Sequence, residues 1–308
     1  MKGLELSVDY FNAFGLPLIR EKFGEYADRI AAGLVGDGSE CFGFDDEISR
    51  DHDWGPGFCV WLTVEDFNTI GEPLQREIGR LPKTFRGFNA RVASDWGEGR
   101  IGVFEIGTFY RKFIGSDHPP SKLEEWLNIP ENFLAAATNG KVFYDPLGEF
   151  SKWRERLLGF YPEDVRLKKM AARCMGIAQA GQYNFSRSAK RKEYLAAQYA
   201  ETRFCADVIS LIFLLNRKYT PFHKWMHRAV KSLPLLGREI HSGIEDLITC
   251  RDYPKKSRLI EDICRLIIEA LREEGLSDSP SDFLLDHGPV IQRKISDPPL
   301  RQRNVWVD

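Results

Sequence analysis

The segment 34–62, L-V-G-D-G-S-E-C-F-G-F-D-D-E-I-S-R-D-H-D-W-G-P-G-F-C-V-W-L, constrains this chain more than any other. An apolar run at 31–35 stops at Gly36-Asp37-Gly38-Ser39, and a second run at 58–62 follows a kink at Gly55-Pro56-Gly57. Short apolar runs bounded by glycine and proline read as core strands. Glycines in the intervening turn let backbone N–H groups face outward and let a bulky anion come close. Between the runs stands Asp51-His52-Asp53. On a strand, the two-residue period would put Asp51 and Asp53 on one face and His52 on the other. Two carboxylates beside a glycine-lined anion site suit a hard divalent cation that carries nucleotide phosphates.

Gly38-Ser39, a spacer and Asp51-x-Asp53 resemble the signature of the polymerase-beta-type nucleotidyltransferase superfamily. The longer string G-S-E-x-F-G-F-D-D-E-x-S-R-D-H-D-W-G-P is similar to one uncharacterised bacterial family within it, and the resemblance continues through 215–225. It implies a reaction in which an NMP, AMP by preference, passes from an NTP (ATP being the expected donor) to an acceptor hydroxyl as pyrophosphate leaves. It also implies Mg²⁺ or Mn²⁺ held by Asp51, Asp53 and Glu105, with Glu105 nearest the acceptor. The superfamily usually has Asp in that third place. Gly38 and Ser39 would meet the triphosphate. The alternatives are a catalytically silent nucleotide-binding regulator, or a toxin- or antitoxin-type transferase acting on protein or tRNA. Arg217 and His223 fit an R-x(4–6)-H ribonuclease spacing found in companion helical domains, but Pro221 should break the helical turn that this motif needs.

A length of 308 residues with 43% hydrophobic and 29% charged content fits one large or two medium globular domains. No apolar run approaches a membrane span, and the first ten residues lack the apolar core of a signal peptide, so the expected location is the cytoplasm. Six cysteines without a C-x-x-C read as reduced packing residues. Charge is unevenly divided, with a net of −10 over 1–150 and +8 over 151–308. An acidic half holding metal ligands could face a basic half holding phosphates. The overall net of −2 gives no general pull on nucleic acid, which is therefore not the favoured partner. Arg187, Lys190, Arg191 and Lys192 are expected to begin a long helix, with Lys190 and Arg191 on the nucleotide. His223 and His227 have the i, i+4 spacing of a zinc pair but no third ligand nearby.

The expected class is α+β. Residues 1–148 should form a small mixed sheet with helices on one side, and 149–308 a helical bundle that closes over the cleft and ends in an extended tail. Hydrophobic spacing predicts helices at 8–23 (interrupted at Pro17) and 69–79, and a strand at 58–64. It also predicts a strand at 101–109 carrying Glu105, short helices near 126 and 133, and a closing strand within 140–146. Helices are then expected at 165–182, 188–219, 222–233, 236–250 and 257–274. Residues 83–99 read as loop-rich.

Overall fold

A computed structural model describes residues 1–50, 54–91 and 99–308. The protein is α+β and divides into two compact units. The first comprises Met1–Pro120 and Phe133–Gly159, the second Ser121–Asn132 and Phe160–Asp308. The first unit runs past the boundary expected at 148 to Gly159, and the second takes in Ser121–Asn132 from earlier in the chain.

The first unit opens with α1 (Gly3–Tyr10), a π-helical turn (Phe11–Gly15) and α2 (Leu16–Lys22). Pro17 has no N–H to continue an α ladder, and the wide turn just before it absorbs that loss. Strand β1 (Ala31–Leu34) leads to β2 (Cys59–Leu62), α3 (Val64–Gly79), a ribbon of β3 (Thr84–Phe85) and β4 (Phe88–Asn89), then β5 (Gly102–Glu105) and α4 (Ile106–Ile114). After α5 (Leu123–Asn128), which belongs to the second unit, and α6 (Glu131–Thr138), whose first two residues do, come β6 (Lys141–Tyr144) and α7 (Glu149–Leu158). The sheet order is β5-β2-β1-β6; β1 runs antiparallel to both its neighbours, and β2 and β5 are parallel.

Helices cover both faces of this sheet rather than one. Val60 and Leu62 pack with Tyr10, Phe11, Ile70 and Leu74. On the opposite face Trp61 stacks on Phe150 with 3.7 Å between ring centroids and meets Phe109 edge-on. All four residues of β1 and of β2 are buried, as two covered faces require. The expected strand at 101–109 stops at Glu105. Beyond it Ile106, Phe109, Tyr110, Phe113 and Ile114 form the buried stripe of a helix instead. Helix α3 starts five residues earlier than expected, because Thr63 caps it by accepting from the Asp66 N–H.

The second unit carries α8 (Glu163–Ile177), a π-helical segment (Ala178–Phe185), α9 (Ser186–Lys190), α10 (Tyr194–Leu215), α11 (His223–Val230), α12 (Gly237–Thr249), α13 (Tyr253–Glu273), α14 (His287–Arg293) and α15 (Pro298–Arg301). The helix expected over 188–219 begins only at Tyr194, after a turn in which Lys192 takes a left-handed φ of 62°. The tail is folded, not extended. His287, wholly buried, faces the Ser277 hydroxyl at 2.9 Å, and Asp297 caps α15. Lys168, also wholly buried, donates to the Asn304 carbonyl at 2.8 Å and to Gln292 Oε1 at 3.1 Å.

Burial pulls the Lys168 amine down to about 8. Between about 8 and the ordinary value of 10.5 the unfolded chain therefore binds more protons, and stability rises with pH across that window. Urea unfolding at stepped pH should show this rise in the native chain and lose it in Lys168→Met. Parallel pH profiles for the two proteins would contradict the assignment.

Candidate functional site

Asp51, His52 and Asp53 lie outside the described residues, so the expected metal pair is approached through its surroundings. The register sets Gly33 opposite Cys59, so the end of β1 and the start of β2 lie side by side. The connection that carries the glycine turn and the aspartates therefore leaves and re-enters the sheet at one end. Gly36 and Gly38 take φ values of +118° and +136°, which an L side chain rarely adopts. Asn139 holds the turn from both sides: its Oδ1 accepts from the Gly36 N–H at 2.9 Å and its Nδ2 donates to the Gly36 carbonyl at 2.7 Å.

Beyond Gly36, the backbone N–H groups of Asp37, Gly38, Ser39 and Glu40 donate to no protein acceptor among the described residues. The Ser39 carbonyl accepts from Phe42 at 3.2 Å and Phe44 at 2.8 Å, which curls the chain back and leaves those N–H groups on the turn. Beneath Gly38 sits the Glu40 carboxylate, ion-paired with Arg91; both side chains are almost wholly buried. Arg91 also donates to the Gly55 carbonyl at 3.3 Å, tying the turn to the glycine kink. Asp45 anchors the far side of the loop, accepting from the Gly3 N–H at 2.7 Å and Trp54 Nε1 at 3.2 Å. Burial alone would raise its carboxyl, but these donors and Lys2 hold it below the usual range. Arg91 belongs to the segment that the sequence left unplaced, and only the fold reveals its part here.

Glu105 is placed elsewhere. It pairs with Leu62, at the end of β2 away from the turn, three residues or about 10 Å along the strand from Cys59. Its two oxygens accept from the Gly107 and Thr108 N–H groups at 2.6 and 2.5 Å, capping α4. Lys190 and Arg191 are exposed at the C-terminal end of the short α9, where cations favour the helix dipole, rather than at the start of a long helix. His227 stacks on His241 at 4.2 Å, and no group of His, Cys, Asp and Glu among the described residues is arranged to hold a metal.

The second unit contains a site that the sequence reading missed. A cleft of about 510 Å³ is lined by residues that include Glu131, Lys169, Arg173, Asp207, Ser210 and Thr220. Arg173 reaches Glu131 and both oxygens of Asp308 at 3.1 Å, and donates to Ser210 Oγ at 2.8 Å. Glu131 also accepts from Ser210 at 2.9 Å and Thr220 at 2.7 Å. Burial pushes the Asp207 carboxyl up. Burial opposes ionisation of Asp308 too, but Arg173 and Lys169 outweigh it and hold that carboxyl below its usual range. The Tyr161 hydroxyl is buried without a hydrogen-bond partner among the described residues, and its proton is held more tightly through burial and the nearby Glu131. Lys169 and Arg173 stand one turn apart on α8, and Asp207 and Ser210 one turn apart on α10, but no local period joins these pairs to each other or to Glu131, Thr220 and Asp308.

A family profile described as a domain of unknown function (DUF4037) matches residues 126–226, the span that holds all the cleft-lining residues named above. No curated protein matches the chain. Among solved structures, a nucleotidyltransferase-like protein from Exiguobacterium sibiricum 255-15 is similar at 12% identity and a TM-score of 0.37, covering 87% of this chain and 82% of that one.

Removing the central cation of the cleft strands several buried carboxylates together. Arg173→Met should therefore destabilise the chain by about 3–5 kcal/mol in urea titration. An unchanged midpoint would contradict the network.

Proposed function

We propose that this chain is a nucleotidyltransferase that passes an NMP from an NTP to an acceptor hydroxyl. The observation that carries the reading is the run of N–H groups at Asp37–Glu40 that meet no protein acceptor among the described residues, on a turn that leaves β1 and is gripped at Gly36 by Asn139. Consecutive backbone N–H groups left without a protein acceptor can form an anion-binding concavity, which suits a triphosphate. The Ser39 hydroxyl, which has no hydrogen-bond partner among the described residues, would add a donor to it.

Asp51 and Asp53 would hold Mg²⁺ or Mn²⁺; their hard carboxylate oxygens suit such ions. When bound, the ions would lower the pKa of the attacking hydroxyl and neutralise the leaving pyrophosphate. The turn would orient the triphosphate so that the α-phosphorus faces the acceptor. Glu105 takes no part in this proposal, because its register and its capping bonds put it to other use. Support also comes from the long string around the two aspartates, a resemblance that extends well beyond the short signature.

Asp53→Asn should abolish pyrophosphate release while the melting temperature holds or rises, since repulsion between neighbouring carboxylates is relieved. Loss of folding instead would make Asp53 structural. Glu105→Ala should behave oppositely. Loss of the cap should cost about 1 kcal/mol of stability with turnover retained in the folded fraction. Abolished turnover at full stability would return Glu105 to the metal site.

A further inference from the structure

The net charge of −2 conceals a concentrated basic face on the second unit. Where α9 ends, the chain turns through Lys192 and presents Arg187, Lys190, Arg191 and Lys192, all exposed. No carboxylate among the described residues forms an ion pair with any of them. Interleaved with them are exposed rings: Tyr183 is 50%, Tyr194 53% and Tyr199 72% accessible. The Arg187 guanidinium lies 4.7 Å from the Tyr183 ring. Tyr194 meets Tyr253 at 5.5 Å, which brings the start of α13, with exposed Arg251 and Lys255, to the same edge. The acidic groups facing this patch are few. Glu193 is exposed, Asp252 caps α13, and Glu201 is neutralised by Lys256 at 2.6 Å.

We propose that this face binds single-stranded polynucleotide. The repeating unit of such a strand is one anion and one flat ring, and the face offers free cations among exposed flat rings. Phosphates pair with the Lys and Arg side chains, and bases stack on the tyrosines. A lipid surface would call for inserted aliphatic side chains, and among the exposed groups here only Leu195 is one. An acidic polypeptide would account for the cations but leave the tyrosines unexplained. This reading stands whether or not the nucleotidyl-transfer proposal holds.

The test is fluorescence anisotropy of the full chain with labelled, unstructured RNA and DNA strands of about 12 nucleotides, a length within the usual site sizes. With four to six phosphate contacts, raising salt from roughly 50 to 200 mM should weaken binding roughly 50- to 300-fold. Lys190→Glu with Arg191→Glu should weaken it at least tenfold (roughly) and flatten the salt slope by about 1.4, without changing the melting temperature. Tyr183→Ala with Tyr199→Ala should weaken it roughly tenfold at an unchanged salt slope, the mark of stacking. Binding of both strands supports the shared chemistry, and a preference for one names the sugar. Absence of binding at low salt would overturn the proposal. So would binding that ignores the tyrosine substitutions, or that phosphatidylserine vesicles or polyglutamate match in strength.

Discussion

Backbone lies against backbone where β1 leaves the sheet, and the candidate nucleotide site depends on that contact. A Cβ on Gly33 would come within 2.5 Å of the Lys141 carbonyl, and one on Gly140 within 2.0 Å of the Leu34 carbonyl. Only glycine allows so close an approach, and the β1–β6 register shifts between Ala32 and Gly33 to fit it. Gly140 in turn donates to the Cys41 carbonyl at 2.9 Å, and its neighbour Asn139 grips Gly36. A segment distant in sequence thus fixes both ends of the glycine turn. The N–H groups of Asp37 to Glu40 can then stay in place without closing onto carbonyls of the described residues.

The two units spend buried charge differently. In the first, the buried pair Glu40–Arg91 supports a turn, and an uncharged pair of similar volume could hold the same backbone. In the second, Arg173 is surrounded by Glu131, Asp207 and Asp308, which come from widely separated parts of the chain. That arrangement binds the folded tail to the bundle. Lys168 and Lys169, adjacent on α8, both reach the same tail, at Asn304 and Asp308. Placing this much charge out of water requires near-complete pairing, and the hydrogen bonds from Ser210 and Thr220 to Glu131 supply part of it.

Much of the architecture was legible in the sequence because periodicity is local. The buried runs at 31–35 and 58–62 became β1 and β2, and the closing strand fell within 140–146 as β6. Glu105 shows where alternation misleads. I-G-V-F-E-I-G-T-F fits a strand throughout, yet the stripe continuing through Tyr110, Phe113 and Ile114 marks a helix with Glu105 as its cap. The tail carried its own signal in Asp297-Pro298, a cap followed by proline in the first turn. The register that separates Glu105 from the glycine turn, the Asn139 grip and the Arg173 cluster could not be read this way. Each joins residues through tertiary packing, and no local pattern records it. Net charge is likewise an average over the chain and does not record the cations gathered at one helix end.

The central claim is that the glycine turn and the Asp51-x-Asp53 segment form one metal–triphosphate site. Electron paramagnetic resonance of Mn²⁺, titrated into the chain with a nonhydrolysable NTP, reads that site directly. The native chain should remove Mn²⁺ from the free signal only when the nucleotide is present. Asp51→Asn with Asp53→Asn should leave the ion free while circular dichroism stays unchanged. Gly38→Val, which forces a side chain into the turn against the Glu40 carboxylate, should lose nucleotide-dependent uptake as well. Equal Mn²⁺ uptake by the native chain and the double variant would contradict the account.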